Sequence, residues 1–170
     1  FYIDDVSIPH SWYVIEADVN DKLYIYVSQE PLDVNEERFA YRIVTIPPGN
    51  YVGATLAKAI QDETNKAIDL TDIPNFIVAG YVVSLNAIRL QADYAGWRFK
   101  ILTPNDISSN LDGTWGGTPI NIGNPQDINE IIGNLSGNSP QYNELKSFLG
   151  SGLNLQTIRN IYIHSSLGNY

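Results

Sequence analysis

Short runs in which apolar and polar positions trade places every second residue recur along the chain, each bounded by a turn signal. In Lys22–Ser28 (KLYIYVS), Leu23, Ile25 and Val27 form one face of a strand and Tyr24 and Tyr26 the other. Upstream, SIPHSWYVI predicts an extended segment leading into a strand at Trp12–Ile15, with Val19-Asn20-Asp21 as a hairpin turn into Lys22. Downstream, Arg38–Gln61 reads RFAYRIVTIPPGNYVGATLAKAIQ. Phe39, Tyr41 and Ile43 alternate there with Ala40, Arg42 and Val44. Pro47 and Pro48 cannot donate to a sheet ladder and end the strand. Gly49 and Asn50 suit a chain reversal. Val52, Leu56 and Ile60 then recur every four residues with Ala59 beside them, the stripe of a helix running to about Ile68.

The pattern continues with strands at Phe76–Val83 and Ala87–Gln91, reversed tightly through Ser84-Leu85-Asn86, and a strand at Trp97–Leu102 with Trp97, Phe99 and Ile101 on one face. Thr103 is placed to cap a short helical turn that has Pro104 at its first position. Leu111–Pro125, rich in Gly, Thr and Asn, predicts a long loop. Ile128, Ile131, Ile132 and Leu135 share a helical face, Ser136–Pro140 interrupts it, and Tyr142–Leu149 fits a further helical turn. Ile158–His164 closes the pattern as a strand.

Strands, one helix, more strands and short helical pieces do not make the alternation of a parallel doubly wound sheet. The expectation is a mainly β chain: an antiparallel β-sandwich, jelly-roll-like, with one helix after the third strand and short helical insertions. Eleven Tyr, three Trp and five Phe favour strands, and thirteen Gly and nine Pro supply turns. Residues 1–170 are expected to be a single domain. The chain holds no Met and opens on Phe1, as expected of a fragment or a processed part of a longer chain. With no Cys there is no disulfide and no thiolate metal site.

The net charge of −9, with ten scattered basic residues, argues against a broad nucleic-acid-binding face. No run of eighteen apolar residues is present to span a membrane. Candidate chemistry is sparse. His10 and His164 stand near opposite ends, and Ser165 and Ser166 lack a nucleophile elbow. Asp4-Asp5 and Glu36-Glu37 are paired carboxylates, but adjacent acids on an extended chain point apart. The Gly113–Thr118 run lacks the Lys-Ser/Thr ending of a phosphate loop. Asn134-Leu135-Ser136 is a lone glycosylation sequon. No catalytic, cofactor-binding or metal residue is assigned. The residues with partner potential are Trp115, either tucked into the fold or offered to a partner, and the Tyr24–Tyr26 face. That face is either a stacking platform for a glycan or receptor or is packed under a neighbouring element.

Three blocks, Ser7–Ile15 (SIPHSWYVI), Thr45–Gln61 (TIPPGNYVGATLAKAIQ) and Asn160–Leu167 (NIYIHSSL), resemble in order and spacing the minor capsid, penton-like proteins of double-stranded DNA viruses of the Polinton, adintovirus and virophage kind. The resemblance implies a single jelly roll that oligomerises at capsid vertices beside a double-jelly-roll partner. It implies a structural role rather than an enzymatic one, self-association or contact with other capsid-type proteins, no cofactor, and residence in a virion or virus-like particle. Residues 103–159 lie outside it. The alternatives are a receptor- or glycan-binding β-sandwich module and a host extracellular structural protein sharing the fold.

Overall fold

The computed structural model describes residues 13–29, 38–68, 76–93, 96–109, 114–115, 118–119, 125–134 and 147–155. Two three-stranded antiparallel sheets carry the architecture. β1 (Lys22–Gln29) lies between β2 (Arg38–Thr45) and β5 (Trp97–Ile101). β4 (Ala87–Ala92) lies between β3 (Ile77–Val82) and β8 (Ser147–Leu149). β6 (Thr114–Trp115) and β7 (Thr118–Pro119) form a two-stranded ribbon. Three helices complete the described elements: α1 (Gly53–Ile68), α2 (Pro104–Ser109) and α3 (Asn129–Ile132).

The alternation of β1 explains the main core. Leu23, Ile25 and Val27 point to one side, opposite Val44 on β2 and Phe99 and Ile101 on β5. They meet Ile77, Ile88, Leu90 and Phe148 of the second sheet, so both sheets share one apolar cluster. Phe76 and Trp97 join the sheets edge to face, with ring centroids 5.6 Å apart. Burying each large aliphatic side chain here contributes about 1.5–3 kcal/mol. The mainly β, sandwich-type expectation therefore holds.

α1 packs against β3 and, less extensively, β2 and β4. Its buried stripe is Leu56, Ala57, Ile60, Thr64 and Ile68. Val52, assigned to that stripe from spacing, is instead 62% exposed and sits at the helix cap. The Thr55 hydroxyl reaches back to accept the Val52 N–H at 3.0 Å, while the Val52 carbonyl accepts the Leu56 N–H. At the same end Gly53 lies under the Tyr81 ring, where a Cβ would come within 2.5 Å of ring carbons.

The helix follows the second described strand, not the third. Of the expected Trp12–Ile15 strand, Tyr13–Ile15 are described, and Ile15 makes a single antiparallel bridge to Gly49. The cause is Asn20, whose side chain accepts the Glu16 N–H at 2.7 Å and donates to the Val14 carbonyl at 3.1 Å. That clamp turns the chain before a ladder can extend, so residues 16–20 are a turn between bridge and strand rather than a hairpin. The β3–β4 hairpin forms as expected, through one 3₁₀ turn at Val83–Leu85 and a left-handed Asn86.

Two further expectations are corrected. Ser147–Leu149, read as part of a helical turn, is the β8 strand, because Phe148 is drawn opposite Leu90 into the shared core. Within the expected loop Leu111–Pro125, Thr114 pairs with Pro119 and Trp115 with Thr118, so a short ribbon interrupts it. The short helix around Ile128–Ile132 forms and buries all three isoleucines; Leu135 lies outside the described residues.

Candidate functional site

The second face of the β1 sheet is where the sequence places its partner candidates. Alternation sends Tyr24 and Tyr26 there, opposite Ile43 and Tyr41 on β2 and, for Tyr26, Lys100 on β5. This face is covered as well. Leu102, just before α2, and Ile107, on it, close over Tyr24 and form a second apolar cluster with it, with Tyr26, Tyr41 and Ile43 packed against it. α2 is held there by a reciprocal capping box. The Asp106 N–H donates to Thr103 Oγ1 at 3.2 Å, and Asp106 Oδ2 accepts the Thr103 N–H at 2.9 Å.

Tyr24 is 3% exposed, and its hydroxyl donates to the Pro125 carbonyl at 2.8 Å. Burial first, then the nearby Asp127 and Asp21 carboxylates, pushes its pKa up to about 12. Tyr24 thus belongs to the interior, and the notion of it as a surface contact is replaced by the packing alternative. Tyr26 is half-buried, with its ring centroid 4.9 Å from that of Tyr41 and the planes tilted by 52°. For Trp115 the structure describes the backbone alone, in β6.

The charges on this face are spent on structure. Lys100 is buried, and its Nζ donates to Asp106 Oδ1 at 2.8 Å. Burial opposes ionisation of Asp106. Hydrogen bonds from Lys100 and from the Thr103 hydroxyl and backbone outweigh it and hold the carboxyl below the usual range. Asp127 is shifted up by burial, against the hydrogen bond it accepts from the Asn129 N–H.

Sequence reasoning missed Lys100 and Asp106, although Thr103-x-x-Asp106 is a readable capping signature. It also missed a buried amide pair. Asn129 Nδ2 donates to the Leu102 carbonyl at 2.9 Å. Asn134 Nδ2 donates to Asn129 Oδ1 at 2.8 Å and approaches the Ile101 carbonyl at 3.4 Å. Asn134, the first residue of the lone sequon, is therefore a buried internal support for the end of β5. Nothing in the local sequence distinguishes such an asparagine from a surface one.

His10, His164, Ser165, Ser166, Asp4, Asp5, Glu36 and Glu37 lie outside the described residues, as does the expected strand Ile158–His164. Among the described residues no three His, Cys, Asp or Glu side chains gather as a metal site. No helix there is long and apolar enough to cross a membrane. One open groove of about 410 Å³ runs between α1 and β3, lined by Ala54, Ala57, Gln61, Gly80, Tyr81 and Val83 among others. In comparisons with known proteins, no family model, no curated protein and no solved structure matches the chain.

Proposed function

We propose that this chain is a non-enzymatic structural subunit, a jelly-roll-like building block of a virus-like shell that acts at its vertices. The observation that carries this reading is the meeting of two sequence blocks that bear the capsid resemblance. Ile15, which ends the first block, exchanges both backbone hydrogen bonds with Gly49 of the second, at 3.1 and 2.9 Å. Val14 adds a third bond, from its N–H to Asn50 Oδ1 at 3.3 Å. The Thr45–Gln61 block thereby joins the N-terminal segment, the end of β2 and the start of α1. Motifs that recur together for a structural reason are expected to touch, and these do. Two antiparallel sheets on one shared core supply the body that such a subunit needs.

Assembly proceeds through sheet edges and loops, and heterologous contacts that close on themselves give rings. The test is light scattering of the purified chain across concentration, followed by co-sedimentation with a double-jelly-roll capsid protein. Concentration-dependent rings, or stable co-sedimentation, support the proposal. A strict monomer at high concentration that also ignores the capsid partner would sink it.

A second reading, a glycan- or receptor-binding sandwich, draws on the half-buried Tyr26–Tyr41 pair. Glycan-array binding that disappears in Tyr41→Ala would favour it over the shell.

A further inference from the structure

Among the described residues β3 is the outer strand of its sheet, with a strand neighbour on one side only, β4, and α1 rather than another strand covers its open side. Phe76–Leu85 (FIVAGYVVSL) carries no charge and no proline. Val78 and Val83 are exposed at 43% and 78%. An uncharged, β-branched outer strand of this kind is a template for pairing with another chain.

On the open side, α1 supplies what a strand would. Asn65 Oδ1 accepts the Ile77 N–H at 2.8 Å, and Asn65 Nδ2 donates to the Ile77 carbonyl at 2.9 Å. One amide therefore makes both bonds of an antiparallel residue pair. One helical turn earlier, Gln61 Oε1 accepts the Ala79 N–H at 2.9 Å. The match is geometric. Four helical residues rise about 6 Å, close to the roughly 6.7 Å between alternate residues of a strand. Toward its N-terminus α1 lines the groove with Ala57, Ala54 and Lys58, with no amide to continue the mimicry, and the groove opens there.

We infer that Gln61 and Asn65 form an autoinhibitory guard, a surrogate strand that keeps β3 from pairing with β3 of a second copy. The occupant excluded is a second copy because two β3 strands meet antiparallel across a two-fold axis, with the same uncharged segment on both sides. This inference is independent of the shell proposal and states which edge assembly does not use.

The test is the double variant Gln61→Ala/Asn65→Ala, which removes both amides and the bulk that fills the strand edge without lowering helix propensity. It is run in light scattering beside the unmodified chain at matched concentrations, with circular dichroism as the fold readout. At high concentration the variant's mass is expected to reach about twice that of the unmodified chain or more. Adding Ala79→Pro, which deletes the edge N–H, abolishes the increase. A folded double variant with the unmodified chain's mass overturns the guard, and so does an increase that survives Ala79→Pro. If the double variant fails to fold, Gln61→Ala alone frees the Ala79 N–H and is judged by the same two criteria. The unmodified chain's own mass tests the shell proposal, so the two can fail separately.

Discussion

The ammonium of Lys100 lies 2.8 Å from the Asp106 carboxylate, and that contact pins α2 over the tyrosine face of the first sheet. Asp106→Ala removes the compensating charge of a buried lysine and half of the α2 capping box. A fully buried pair broken in this way costs about 3–5 kcal/mol. With 24% of the Asp106 side chain exposed, about 2–4 kcal/mol is expected in urea unfolding.

The same pair sets an acid limit. The pKa of Asp106 in the folded chain lies below its ordinary 3.8, so its contribution is complete above that pH. It is lost as the pH falls through the depressed folded value. Acid titration followed by circular dichroism is expected to show a shallower fall in stability below pH 3.8 in Asp106→Asn than in the unmodified chain.

Tyr24 sets the alkaline limit. Its pKa rises from 10.0 to about 12 on folding, so its stabilisation is complete below pH 10 and drains away between the two values. Tyr24→Phe loses the bond to the Pro125 carbonyl, at about 1 kcal/mol near neutral pH. It also removes the part of the fall in stability above pH 10 that Tyr24 contributes, which thermal melts across that range would read as a shallower loss.

Gly53→Ala should destabilise although alanine is the better helix former. The new Cβ would press on the Tyr81 ring at 2.5 Å, forcing α1 or the ring aside. Overpacking of this kind costs about 1–3 kcal/mol. The expected signature is non-additivity: in a Tyr81→Ala background the same substitution becomes neutral or stabilising, as a double-mutant cycle would measure.

What the sequence made legible follows from how local each signal is. The faces of β1, the β3–β4 reversal and the Thr103–Pro104 start of α2 are written in neighbouring residues. β8 is not, because Phe148 earns its strand only by lying opposite Leu90, far away in sequence. Val52 fits helical spacing, yet the Thr55 hydroxyl decides that it caps the helix. The tyrosine face was legible as a face, but its cover was not. Whether Tyr24 meets water depends on Leu102 and Ile107 arriving from a different element. Gln61 and Asn65 look like ordinary polar helix positions until the bare edge of β3 is set beside them.

The two-sided burial of β1 has one last consequence, for the fidelity of folding. In a sheet with one wet face, slipping a strand by one residue is punished because oily side chains meet solvent. Here the second face is largely covered too, with Tyr24 buried and Tyr26 half-buried, so that penalty is weakened. Selection against the slipped pairing falls instead to the phenols of Tyr24 and Tyr26, which would be thrust into the aliphatic cluster that holds Ile88, Leu90 and Ile101, Tyr24 parting from the Pro125 carbonyl. Two hydroxyls thus act as the proofreaders of strand alignment.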